Sequence, residues 1–231
     1  MDQTLLPILL SWAVYFSDYP MPPAVPEVRF EPHAFFVQRV CAGKECNAVG
    51  WYNDDLVIYI DESYRNVDGS FETSLIVHEL SHQWFGDDIA VERWSDIWLN
   101  EGFATFMEWR WAETHHGRSA DTVFRNYYAN VDATSAFWKV AVDDPGAAKV
   151  FDGAVYGRGA MALQALRNRV GDEAFWRVVR TWIREQRGGN GSTAEFEEVA
   201  TRVSGQDLGS FFDAWLRTLA KPAATATNGL G

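Results

Sequence analysis

Between about Val28 and Ile60 the apolar residues come in short runs rich in β-branched and aromatic side chains. Phe35-Phe36-Val37, Val49-Gly50-Trp51-Tyr52 and Leu56-Val57-Ile58-Tyr59-Ile60 read as strands. Asn53-Asp54-Asp55 supplies a turn between the last two, so a small sheet is predicted. Asp68-Gly69-Ser70 then offers turn and helix-start residues for a helix that Gly86 ends. With Ser74-Leu75-Ile76-Val77 at its start and Trp84-Phe85 at its end, this helix is apolar on nearly all sides and should be buried. Ser95-Asp96 opens another helix, which runs toward His115-His116 and stops at Gly117. After about Ser119 the spacing is almost entirely helical. Ser192-Thr193-Ala194-Glu195 is a capping box, and Leu208, Phe211, Phe212, Trp215, Leu216 and Leu219 should bury one stripe.

The fold class expected is α+β, and the main domain spans 28–220. A sheet with the first two helices occupies 28–117 and a helical lobe 118–220. Residues 1–27 are an apolar and proline-rich segment. Leu5 to Phe16 is too short to span a bilayer and lacks a basic leader, so no transmembrane segment or signal peptide is expected. Residues 221–231, rich in Ala and Thr, are expected to form a disordered tail.

Composition narrows the function classes. At 231 residues and 47% hydrophobic the chain can bury a large core without staples, and 15% aromatic content argues against disorder. A net charge of −12 excludes a nucleic-acid partner, which would need basic surface. Cys41 and Cys46 are spaced for a small disulfide loop or for two reduced thiols. A soluble protein is expected, cytoplasmic by default and extracytoplasmic if that disulfide forms. Oligomeric state is not legible.

The chemistry lies in His78-Glu79-Leu80-Ser81-His82. On a helix the two imidazoles stand one turn apart on one face and reach one Zn²⁺, while Glu79 is placed to accept a proton from a metal-activated water. A catalytic zinc needs a third protein ligand and an open fourth position. Glu101, with eighteen residues between it and His82, offers that ligand from the start of the next helix. Two histidines and a glutamate on a buried helix also need partners, and a metal supplies them. Thr105 and Glu108 share a face with Glu101 and are candidates to orient the ligands. His115 and His116 suit a helix C-terminus better than a metal, and His33 reads as structural.

Three blocks together carry a family resemblance: His78-Glu-Leu-Ser-His-Gln-Trp-Phe-Gly-Asp87, Trp94-Ser-Asp-Ile-Trp-Leu-Asn-Glu-Gly-Phe-Ala104 and Val155-Tyr-Gly-Arg-Gly-Ala160. From about Ser74 to Pro222 the chain resembles the catalytic domain of aminopeptidase-N-like zinc metallopeptidases of the gluzincin clan, in a short form without the flanking domains. The resemblance implies a thermolysin-like fold, with a small sheet and the zinc helix in one lobe, helices in the other, and the site between them. It implies one Zn²⁺ per chain on His78, His82 and Glu101, a peptide substrate, and Glu79 as general base. It also carries the family's catalytic tyrosine onto Tyr156, whose phenol would stabilise the oxyanion. Gly157 and Gly159 are expected to let that helix approach the metal closely.

One departure matters. Where the family has a Gly-x-Met-Glu-Asn strand whose Glu binds the substrate's free amine, this chain has Val49-Gly50-Trp51-Tyr52-Asn53, and a tyrosine cannot offer a carboxylate to an ammonium. Three readings follow: an aminopeptidase acting on small peptides, an endopeptidase with an open cleft, and a catalytically silent zinc-containing module that binds peptide or protein.

Overall fold

The computed structural model describes the backbone of residues 27–31, 50–53 and 57–61 and the whole of residues 73–231. The chain divides into two compact units, Met1–Gln83 and Trp84–Gly231. Phe35-Phe36-Val37, the Asn53–Asp55 turn beyond Asn53, the Asp68-Gly69-Ser70 helix start, His33, Cys41 and Cys46 lie outside the described residues. Among the described residues no helix is long and apolar enough to cross a membrane.

In the first unit, strands β1 (Glu27–Glu31), β2 (Gly50–Asn53) and β3 (Val57–Asp61) form a sheet in the order β1-β3-β2. β3 is central, parallel to β1 and antiparallel to β2, with Tyr52 opposite Ile58. Helix α1 (Thr73–Ser81) lies beside β2. It buries Ile76, Val77, Glu79, Leu80 and Ser81, as its nearly uniform apolar character predicts. The Ser81 hydroxyl donates to the Val77 carbonyl at 2.6 Å, one turn back, and the helix ends there rather than at Gly86.

The second unit is mainly helical. A short parallel pair, β4 (Ile89–Val91) and β5 (Gly189–Gly191), flanks helices α2 (Trp98–Thr114), α3 (Ala120–Asn130), α4 (Gly153–Val170), α5 (Asp172–Gln186) and α6 (Thr193–Ser204). The last helix, α7 (Gly209–Phe212), continues into a π-helical turn over Asp213–Arg217. Local sequence explains the ends. Asp152 accepts from the Ala154 N–H to cap α4, and Ser119 caps α3 in the same way. The predicted capping box opens α6: Ser192 N–H donates to Glu195 at 2.9 Å, and Glu195 N–H returns to the Ser192 hydroxyl at 3.4 Å. Gly205, at φ 69°, closes that helix in the left-handed region.

α4 is the axis of this unit. Ala154 and Val155 and everything from Gly157 to Leu166 are buried, and α2, α3 and α5 pack around it. The core is aromatic: Trp98, Trp138, Trp182, Trp215, Phe103, Phe106, Phe124, Phe175 and Phe196 are all fully buried. Because α2 packs on α4, the division falls at Gln83, whereas the sequence grouping carried α2 with the sheet to residue 117.

Two expectations about the C-terminal stretch change. The predicted stripe holds for Leu208, Phe211, Phe212, Trp215 and Leu216, but Leu219 is 52% exposed. The π turn carries an extra residue and the helix stops at Arg217, so three- and four-residue spacing no longer applies at 219. Residues 221–231, expected to be disordered, instead follow a fixed path. Tyr128 donates to the Pro222 carbonyl at 2.6 Å, Trp215 Nε1 to Asn228 at 3.1 Å and Asn168 to Gly229 at 3.1 Å. Composition hides this because the anchors are backbone carbonyls, which any sequence supplies.

Candidate metal centre and active site

α1 places His78 and Glu79 side by side, with His82 in the turn just past its end. The stagger expected of a helix survives that termination: the His78 and His82 rings lie 4.9 Å apart between centroids, with their planes at 81°. Both rings are half-buried and Glu79 is buried. Glu101 stands in the first turn of α2 and is also buried. One ligand atom from each of His78, His82 and Glu101 lies within 4.8 Å of the others. An ion that binds nitrogen and oxygen at about 2.0–2.2 Å requires donors gathered this closely. Two imidazoles and one carboxylate form the donor set that leaves a catalytic zinc a fourth position for water or substrate. The residues present therefore fit the metal. Among the described residues this is the one such group.

The start of α2 is held from a distance. Asp96, read from sequence as part of that helix's opening, lies in a short 3₁₀ turn (Trp94–Asp96), and no side chain caps α2. Asp96 Oδ1 accepts instead from the Thr193 N–H at 2.9 Å, and Trp98 Nε1 donates to the Thr193 hydroxyl at 2.9 Å. The block that leads into Glu101 is thus tied to the start of α6. Its polar members point inward because they serve a partner 97 residues away.

The glycines of the third block also have partners other than those expected. An added Cβ at Gly159 would lie 3.0 Å from the Gly102 Cα, and one at Gly102 equally close to Gly159. The two backbones touch where α2 and α4 cross, next to Glu101 and one turn past Tyr156. At Gly157 a Cβ would meet the Tyr127 hydroxyl at 2.5 Å, so this glycine accommodates a phenol ring. Burial pushes the Tyr127 pKa up. The small residues bring α4 against α2 and α3. Gly159→Val is expected to destabilise the fold by about 1–3 kcal/mol, since neither backbone can yield as a side chain would. Equilibrium denaturation checks this, and an unchanged midpoint would show that the crossing tolerates bulk.

Tyr156 is half-buried in the first turn of α4. Thr105 and Glu108 follow Glu101 along α2, both half-buried. His115 ends α2: its Nδ1 lies 3.0 Å from the Trp111 carbonyl and its ring stacks on Trp111 at 3.4 Å. Neither His115 nor His116 joins the metal group. Sequence reasoning missed an exposed aromatic pair. Trp94 and Phe151, 64% and 59% exposed, meet edge to face at 6.0 Å just before α2 and α4. The signal was there, since Phe151-Asp152 immediately precedes the capped start of the tyrosine helix.

Residues 36–215 match the model of the peptidase family M1 domain. Aminopeptidase 2 of Candida albicans is 29% identical over 191 residues, covering 78% of this chain and 20% of that protein. Aminopeptidase N of Streptomyces lividans is 32% identical over 163 residues, 65% of this chain and 19% of that protein. Among solved structures, an M1 zinc metallopeptidase from Deinococcus radiodurans superposes with a TM-score of 0.76 at 23% identity, over 96% of this chain and 46% of that one. The chain thus spans about a fifth of the length of these curated relatives and under half of the solved one.

Proposed function

Because the chain belongs to the M1 family of peptidases, we propose that it hydrolyses peptide bonds with a zinc ion held by His78, His82 and Glu101, in the manner of an aminopeptidase acting on small peptides. The observation that carries the reading is the convergence of these three ligand atoms, with Glu79 beside His78 on α1. When bound, zinc acidifies a water and polarises the scissile carbonyl. Glu79 accepts the proton of the attacking water and delivers it to the departing nitrogen. Its burial keeps bulk water from competing for that proton. Tyr156 donates its phenolic hydrogen bond to the oxyanion as it develops. Trp94 and Phe151 present apolar surface at the same ends of α2 and α4 and favour a substrate with an apolar side chain.

The end of the peptide that enters is a separate matter. The names of the relatives favour removal of an N-terminal residue. Tyr52, in β2 where a glutamate would hold the free amine, favours acceptance of internal bonds. The deciding experiment compares hydrolysis of apolar peptides with free and acetylated N-termini, using the Glu79→Gln chain as blank. Turnover confined to free N-termini is the expected result. Equal cleavage of acetylated peptides would replace the aminopeptidase reading with an endopeptidase. No turnover of either by zinc-loaded chain would leave a zinc-containing binding module.

A further inference from the structure

We propose that Arg158 is the positioning residue of Tyr156: it anchors the first turns of α4 so that the phenol stands at a fixed place. This rests on the reading of Tyr156 as the oxyanion donor. Arg158 is fully buried, yet its guanidinium hydrogen-bonds to no carboxylate. Nη1 donates to the Val140 carbonyl at 3.0 Å and the Trp138 carbonyl at 3.4 Å. Nη2 donates to Ala214 at 3.0 Å and Thr218 at 2.6 Å. These carbonyls lie at the ends of two helical segments, the 3₁₀ helix Ala136–Lys139 and the π turn Asp213–Arg217, where backbone acceptors are left over. One cation therefore closes two helix ends and ties both to α4. Its carbon also lies 5.6 Å from the Trp138 ring centroid. Burial pushes the guanidinium pKa down to about 10, with nearby Asp143 opposing the shift.

A buried charge without an ionic hydrogen-bond partner is a costly way to pack a helix, and an apolar residue would fill the space more cheaply. What the guanidinium adds is direction: four acceptors in a planar fork fix the rotation and the height of the helix. The neighbouring contacts act on the same turn from other sides. Gly157 seats the Tyr127 ring and Gly159 seats Gly102, so the three residues after Tyr156 are each pinned to a different element. Oxyanion stabilisation depends on a donor already in place before charge develops, so a loosened turn would cost rate rather than binding.

The test is a double-mutant cycle on kcat with leucine and phenylalanine p-nitroanilides, in zinc-loaded full chain. Arg158→Lys keeps the charge and up to three donors but loses the fork. It is expected to lower kcat roughly tenfold or more, as small misplacements of a catalytic group do. KM should stay within about twofold, because ground-state binding is untouched. In the Tyr156→Phe background the same change should alter kcat by less than about twofold, since there is no hydroxyl left to position. Gly157→Ala, which displaces the same turn from the Tyr127 side, should repeat the pattern and serves if Arg158→Lys fails to fold. An equal loss in both backgrounds would overturn the proposal and make Arg158 a packing residue, as would no loss in either. Tyr156→Phe alone with undiminished kcat would instead remove the oxyanion role, and this inference with it.

Discussion

Replacing Glu79 by Gln is expected to lower kcat for peptide hydrolysis by roughly 10²- to 10⁴-fold, the range in which positioned general bases act. The amide is isosteric with the carboxylate but cannot accept and return a proton. Glu79 is buried on α1 beside His78, and the substitution leaves its place and shape unchanged. Zinc content should remain stoichiometric, because the ligand set is intact. Steady-state kinetics together with metal analysis provide the check. Retention of more than a tenth of the activity would show that the proton leaves by another route.

Glu101→Ala should have an effect of similar size through a different quantity. Loss of a group that merely supports a ligand costs about 10- to 100-fold in metal affinity, so loss of the ligand itself should cost more. Its place in the first turn of α2 is fixed by Asp96 and Trp98 against Thr193 and by Gly102 against Gly159, so the shortened side chain cannot be offset by a shift of the helix. Titration against a chelator of known affinity measures the change. Hydrolysis should vanish with the metal and return only partly under excess zinc. Wild-type affinity in the variant would mean that the ion is held without Glu101.

What the sequence made legible was whatever is local or borne by a motif. The His78/His82 pair follows from one-turn spacing, and the Ser192–Glu195 box from a span of three residues. Glu101 entered through its spacing from His82, and Tyr156 through a block of residues rather than through periodicity. The misreadings share a cause. Asp96 looked like a helix opener because its side chain does suit that task, but its partner is Thr193. Gly157 and Gly159 were recognised as close-approach residues without their neighbours Tyr127 and Gly102, since a small residue says that something is near without saying what. Leu219 left the buried stripe because a π turn inserts a residue that no apolar pattern announces. Arg158 carried no visible signal at all, as its acceptors are backbone carbonyls from segments 20 and 60 residues away.

Those distant tethers join residues made early in synthesis to residues made late. The helix bearing Glu101 is tied to Thr193, and the helix bearing Tyr156 is tied to Ala214 and Thr218. A nascent chain that has passed its histidines, its glutamates and its tyrosine still lacks the residues that hold two of them in place. On the proposed function, the hydrolytic site is complete only after Thr193, Ala214 and Thr218 have been made.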